Sequence, residues 1–208
     1  MANNLENSNY KAKNFLLRVL STVVLLPVVI WITLGGGFLY FVLLLLASYI
    51  ACKEWAYICG RWPFGIDAMS FITFVFLATT SFYMDKLILG LIFLAVGAYV
   101  TYFTVKFRSK SEKHLAEVIP NYINRPLLLA VGELYIGLAF GSLAYLHKYD
   151  IFNITVLWIF GLVVCSDVSA YIFGSLIKGA KLAPKISPGK TWSGFIGAII
   201  VTFLVSYI

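Results

Sequence analysis

The stretch from Asp167 to Gly194, DVSAYIFGSLIKGAKLAPKISPGKTWSG, gathers more chemistry-bearing side chains than any other part of the chain. An acidic residue sits deep in an apolar run. Lys178, Lys181, Lys185 and Lys190 follow, with Ser187, Thr191, two prolines and glycines among them. Lysine brings a point charge to a phosphate group, and a helix N-terminus brings free N–H groups and a favourable dipole. Pro184 and Pro188 forbid a continuous helix. The loop is therefore expected to be rigid and extended, and to re-enter a helix near Thr191 or Trp192. Lys181, Lys185 and Lys190, with the hydroxyls of Ser187 and Thr191, then surround that helix start. An anionic, phosphate-bearing ligand is the chemistry this pattern suits. Gly189-Lys190-Thr191 is not a P-loop: that motif needs Gly where Pro184 stands, after a buried strand.

Asp167 needs explaining separately. A carboxylate inside an apolar span is costly without a cation, a hydrogen-bond network or a water-filled cavity. It lies about 16 Å from Lys178 if the intervening residues are helical. Ser166 and Ser169 beside it add polar character. The residue types favour a functional role for Asp167, lining a polar cavity, over a packing role.

The elements that must position these groups are membrane helices. Of 208 residues, 61% are hydrophobic and 12% charged, and the mean hydropathy is +0.91. Soluble domains carry roughly 25% charged residues, so this chain cannot coat a soluble core. The fold class expected is all-α, a polytopic membrane helix bundle. Seven stretches are apolar enough to span: 15–34, 38–58, 68–84, 87–105, 127–146, 151–177 and 191–208. The first is too long for a signal-peptide core and no small-residue cleavage site follows it. Residues 1–14 read as a disordered tail, and 15–208 as one membrane domain.

With the N-terminus in the cytoplasm, fourteen of the sixteen basic residues fall on the cytoplasmic side; only Lys86 and Lys148 lie opposite. That asymmetry orients membrane proteins, and it puts the lysine-rich loop on the cytoplasmic face. The net charge of +7 is thus a topology signal, and no nucleic-acid partner is expected. Positive-inside topology would explain the lysines alone, but not the prolines, the Gly-Lys-Thr and the hydroxyls together.

Elsewhere the expectations are structural. Gly35-Gly36-Gly37 and Asp85-Lys86 read as tight turns. Glu54-Trp55 closes the second span, with the Trp in an interfacial belt. The basic run beginning at Lys106 suits anionic headgroups. Glu133 lies within the fifth span and should face the bundle interior. Gly137 and Gly141 are spaced for close helix packing, and such small-residue faces also permit a homodimer. Cys52, Cys59 and Cys165 have no metal-type spacing. No inverted repeat or pair of broken helices suggests a transporter.

The 167–194 segment resembles the CDP-diacylglycerol synthase family, the phosphatidate cytidylyltransferases. The resemblance rests on Asp167, Ala170, Tyr171, Gly174, Lys181 through Pro188, Lys190, Thr191, Trp192 and Gly194. Arg18, Glu54-Trp55 and Tyr135-Ile136-Gly137-Leu138 extend it over most of the chain. Ser169 and Ser193 stand where the family commonly has Gly and Glu. The family's Pro-Gly-His-Gly-Gly signature, with its main metal-binding carboxylates, is expected downstream of Ile208, so the chain reads as shortened. The resemblance implies transfer of a cytidylyl group from CTP to phosphatidate, giving CDP-diacylglycerol and pyrophosphate. It implies Mg²⁺, with CTP, phosphatidate and membrane lipids as partners, in the multi-pass inner (plasma) membrane with the active side cytoplasmic. Lys181, Lys185 and Lys190 would neutralise phosphates, Ser187 and Thr191 would donate hydrogen bonds, and Asp167 would serve the catalytic cavity. The alternative is an inactive relative or a membrane scaffold.

Overall fold

A computed structural model describes residues 24–59, 66–111, 125–150, 154–184 and 187–207. The helices among them are α1 (Val24–Gly35), α2 (Gly37–Ile58), α3 (Ile66–Tyr83), α4 (Leu87–Ser111), α5 (Arg125–Tyr149), α6 (Ile154–Leu176) and α7 (Trp192–Ser206). Between α6 and α7 stand β1 (Lys181–Ala183) and β2 (Ser187–Thr191). The all-α membrane bundle is as expected, with this two-stranded ribbon added to it. Four helices (α2, residues 87–107 of α4, α5 and α6) are long and apolar enough to cross a membrane; α1, α7 and residues 68–83 of α3 are shorter apolar helices. The expected tail 1–14, the head of the first span, Arg18 and Arg61 lie outside the described residues.

Contacts divide the chain into two compact units, Met1–Asn153 and Ile154–Ile208. In the first, buried residues recur every three or four positions: Tyr40, Leu44, Ser48, Cys52 and Ala56 on α2, and Ala68, Phe71, Val75, Ala78 and Phe82 on α3. The same helices expose Leu46, Ile50 and Leu77 on their other sides. Helices apolar on every face belong in lipid. Helix α5 packs against α2, α3 and α4, and its glycines explain how. A Cβ at Gly132 would collide with the Trp55 ring, at Gly137 with Leu94, and at Gly141 with Phe82. Three glycines thus accept one side chain from each neighbouring helix. Trp55, expected in an interfacial belt, also packs against α5: its Nε1–H donates to Leu128 O at 2.9 Å.

Both tight turns form. Gly36 is the single non-helical residue between α1 and α2, and Gly36 and Gly37 take φ of 62°. Asp85 takes φ of 65°, and Lys86 N–H closes the turn onto Ser81 O at 2.8 Å. The last turn of α5 secures these turns. Lys148 Nζ and Tyr149 Oη donate to the two Asp85 carboxylate oxygens at 2.7 and 2.6 Å. Gly37 N–H donates to His147 Nε2 at 3.2 Å. Helix α4 continues through the first residues of the basic run, where a polar segment was expected to begin, and Lys106 Nζ stands 5.3 Å from the Tyr102 ring centroid.

Candidate phosphate-binding site

In the second unit α6 and α7 pack on each other through small residues. A Cβ on Gly194 would lie 2.6 Å from Ala170 O and 3.3 Å from the Gly174 Cα, and one on Gly197 would enter the Phe173 ring. The closeness of the two backbones sets where the loop between them can go. After α6 the chain turns through Lys178 (φ 54°) and Gly179 (φ 118°), both left-handed. Trp192 N–H then donates to Ala180 O at 3.0 Å, drawing this turn onto the head of α7.

The proline-bearing loop is an antiparallel ribbon. Lys181 pairs with Thr191 and Ala183 with Ser187, and the register is irregular between these pairs. Pro188 lies in the irregular part, where its missing N–H costs the ladder nothing. The extended loop expected from Pro184 and Pro188 is therefore present, and the helix begins at Trp192, as the sequence indicates.

Thr191 is the N-cap of α7: its backbone is extended and its Oγ1 accepts from Gly194 N–H at 3.2 Å. Ser193 Oγ donates its only proton to Lys178 O at 2.7 Å. In the 3.1 Å contact between Thr191 Oγ1 and Ser193 Oγ, Thr191 is consequently the donor. The buried Thr191 hydroxyl has its proton committed within the chain, and in this conformation it shapes the helix start. Ser193 was not singled out by its type, yet it ties the Lys178 turn to the cap. A second hydroxyl two residues after a capping Thr is the signal that could have found it.

The cations are arranged differently. Lys178, Lys181 and Lys190 are all exposed, and the described residues provide none of them with an acidic partner. Lys190 adjoins Thr191, the cross-strand partner of Lys181, so two lysines share one end of the ribbon, beside the head of α7. Ser187 is half-buried in β2, opposite Ala183. Lys185 lies outside the described residues. Asp167 is exposed on α6 and forms no hydrogen bond or ion pair among the described residues. It is the only carboxylate between Ile154 and Ile208. The unit is thus a cationic ribbon at a helix N-terminus with one acidic residue further along α6.

A family model described as "Cytidylyltransferase family" matches residues 16–208. The chain belongs to the cytidylyltransferase family. The match runs through both units and includes every candidate site residue. Among curated relatives, the phosphatidate cytidylyltransferase of Rickettsia bellii is 40% identical over 80 residues, 38% of this chain and 35% of that protein. That of Brucella abortus is 42% identical over 69 residues, 33% of this chain and 26% of that protein. The Pseudomonas aeruginosa protein of the same name is 29% identical over 188 residues, 88% of this chain and 65% of that protein. The chain spans less than two thirds of the length of each of these relatives. No solved structure matches it.

Cytidylyl transfer from CTP ordinarily involves a divalent ion, and a protein site for one needs converging oxygen ligands. Among the described residues no group of three His, Cys, Asp or Glu side chains gathers. Asp167 alone does not fit a resident magnesium site.

Proposed function

We propose that this cytidylyltransferase-family chain transfers a cytidylyl group from CTP to phosphatidate, forming CDP-diacylglycerol and pyrophosphate. The observation that carries this reading is the set of exposed, unneutralised lysines, Lys178, Lys181 and Lys190, around the capped start of α7. A nucleoside triphosphate brings the negative charge that this surface lacks. The names of the relatives support CTP and phosphatidate as the pair of substrates.

The chemistry proposed is mainly positioning and charge neutralisation. A phosphatidate phosphate oxygen attacks the α-phosphorus of CTP, the bond to the β-phosphate oxygen breaks, and pyrophosphate leaves. Charge builds on the pentacoordinate centre and on the leaving group. Fixed cations and a helix N-terminus stabilise such charge without reorganising, as water would have to. Lys181 and Lys190, with Lys185, are assigned to the phosphates. Ser187 is assigned a hydrogen bond to a phosphate oxygen, and Thr191 keeps the helix start in place. Asp167, exposed on α6, is assigned as the acidic group of the site. Magnesium is expected to arrive on the CTP phosphates, which supply most of its oxygen ligands.

Phosphatidate stays in the leaflet while CTP is soluble, so the ribbon belongs at a membrane surface. The basic asymmetry of the loops supports the cytoplasmic face of the inner membrane. The test is direct: purified protein with labelled CTP, phosphatidate vesicles and magnesium should yield labelled CDP-diacylglycerol with equimolar pyrophosphate. Nucleotide binding without any lipid product would overturn the transfer reading and leave a nucleotide-binding relative.

A further inference from the structure

Inside the first unit, Glu133 on α5 is fully buried, and both its carboxylate oxygens lack a hydrogen-bond partner. No ion pair reaches it among the described residues. The carboxyl has room only because α4 carries Gly97, where a Cβ would collide with Glu133 Oε1 and with the Phe74 side chain of α3.

The hydroxyl opposite it is unusual. Among the described residues, Thr33, Thr79 and Thr101 are the threonines with no exposed surface. Thr33 and Thr79 donate to the carbonyl four residues earlier in their own helices, at 2.7 and 2.8 Å. Most hydroxyls in apolar helices satisfy themselves in this way. Thr101 does not: its Oγ1 is buried and unbonded, and it faces Glu133. Two polar groups on adjacent helices are thus left open towards each other within an apolar bundle.

Among the described residues, an ionised carboxylate in that place has no cation facing it. On α4 it faces Gly97 and Thr101, on α3 Phe74, and on α2, at longer range, the Cys52 thiol. On its own helix the nearest basic group in sequence, Arg125, is eight residues away, about 12 Å along the axis. None of these facing groups is a cation. A bare charge in a membrane interior is far more costly than a neutral acid.

We propose that Glu133 is an intramembrane proton-binding site, carrying its proton as a neutral acid in the α4–α5 interface, with Thr101 Oγ1 as its hydrogen-bond partner. Losing that proton puts a charge between α4 and α5 where only a dipole, the Thr101 hydroxyl, can answer it. The interface then loosens. Proton occupancy is thereby coupled to the packing of the four helices that meet there, independently of the phosphate site.

The experiment uses the full chain in lipid vesicles, with ¹³C-carboxyl glutamate incorporated. Infrared spectra at neutral pH should contain a protonated carboxyl C=O band, shifted by the label, that disappears in Glu133→Gln and moves in Thr101→Val. Dicyclohexylcarbodiimide, which reacts with protonated carboxyls in apolar surroundings, should modify the α5 peptide, read by mass spectrometry. Modification should fall by about tenfold per pH unit once the acid titrates, as a single-proton equilibrium requires. Glu133→Gln mimics the neutral acid, and should keep the wild-type melting temperature at neutral pH while losing its alkaline decline. A carboxylate band at neutral pH that Glu133→Gln removes would overturn the proposal. If that variant fails to fold, the carbodiimide map of the wild-type chain decides, because Glu133 is the only Asp or Glu in α5: an unmodified α5 peptide at neutral pH would overturn the proposal.

Discussion

Two polar clusters of this protein carry similar residues and use them in opposite ways. At the end of α5, Lys148 and Tyr149 close on the two oxygens of Asp85, and His147 receives the Gly37 N–H. Every one of these groups is answered within the chain. At the ribbon, the hydroxyls of Thr191 and Ser193 are likewise answered, but among the described residues Lys178, Lys181 and Lys190 are not. A charge that is cancelled internally holds loops in place. A group of like charges left open beside a helix N-terminus is unfavourable to itself and becomes favourable when an anion arrives. The difference is the basis for assigning the first cluster to architecture and proposing the second as a binding surface, since lysine occurs in both.

The strongest way to break this comparison is to reverse the ribbon's charge. Lys181→Glu with Lys190→Glu should lower cytidylyl transfer by roughly 10²-fold or more, the scale of losing one or more charge-stabilising donors. Circular dichroism and melting temperature should stay near wild type, because neither lysine has a partner to lose among the described residues. Next in size is the α6–α7 contact that places the ribbon. Gly194→Leu drives a side chain into Ala170 O and Gly174, and overpacking of this kind costs about 1–3 kcal/mol. Thermal unfolding in detergent should show it, with activity falling in parallel.

Smaller again is the cap. Thr191→Ala removes the acceptor for Gly194 N–H and should cost about 1 kcal/mol. Thr191→Ser, keeping the hydroxyl, should restore most of it. A Thr191→Ala chain with unchanged stability but lost CTP binding would mean that the hydroxyl serves the ligand directly.

The smallest effect belongs to the other cluster. The Lys148 and Tyr149 hydrogen bonds hold Asp85 below the usual aspartate range. A folded-state value lowered in this way stabilises the fold above the unfolded value, about 4, and the benefit is lost as the pH falls through the folded value. Asp85→Asn should therefore narrow the difference in melting temperature between neutral and acid buffers. Because the pair is exposed, the change should be slight and should shrink further in salt.

Much of the fold was legible because apolar length and glycine or proline breaks are local properties. The limits of α2, the Asp85-Lys86 turn and the re-entry at Trp192 all follow from them. What local pattern could not supply was partnership. Trp55 sits near a span end, as interfacial aromatics do, and its packing onto Gly132, more than seventy residues later, could not be read from that position. Helix α4 outlasts its apolar stretch because backbone hydrogen bonds continue where hydropathy stops. At the site, the lysines, the prolines and Thr191 were readable from type and spacing. The use of the Thr191 proton was not, since it depends on Ser193 pointing back to Lys178 O. Asp167 was legible as costly, and its exposed position on α6 could be known only from the packing of that helix.

The central contrast comes down to one measurement: equilibrium binding of CTP to the purified chain, compared among wild type, Lys190→Ala and Lys148→Ala. Lys190→Ala should weaken binding by about tenfold, as loss of one charge-assisted phosphate contact does. Lys148→Ala should bind CTP as wild type does. Equal affinity for wild type and Lys190→Ala, or a loss confined to Lys148→Ala, would contradict the assignment of the open lysines to the nucleotide.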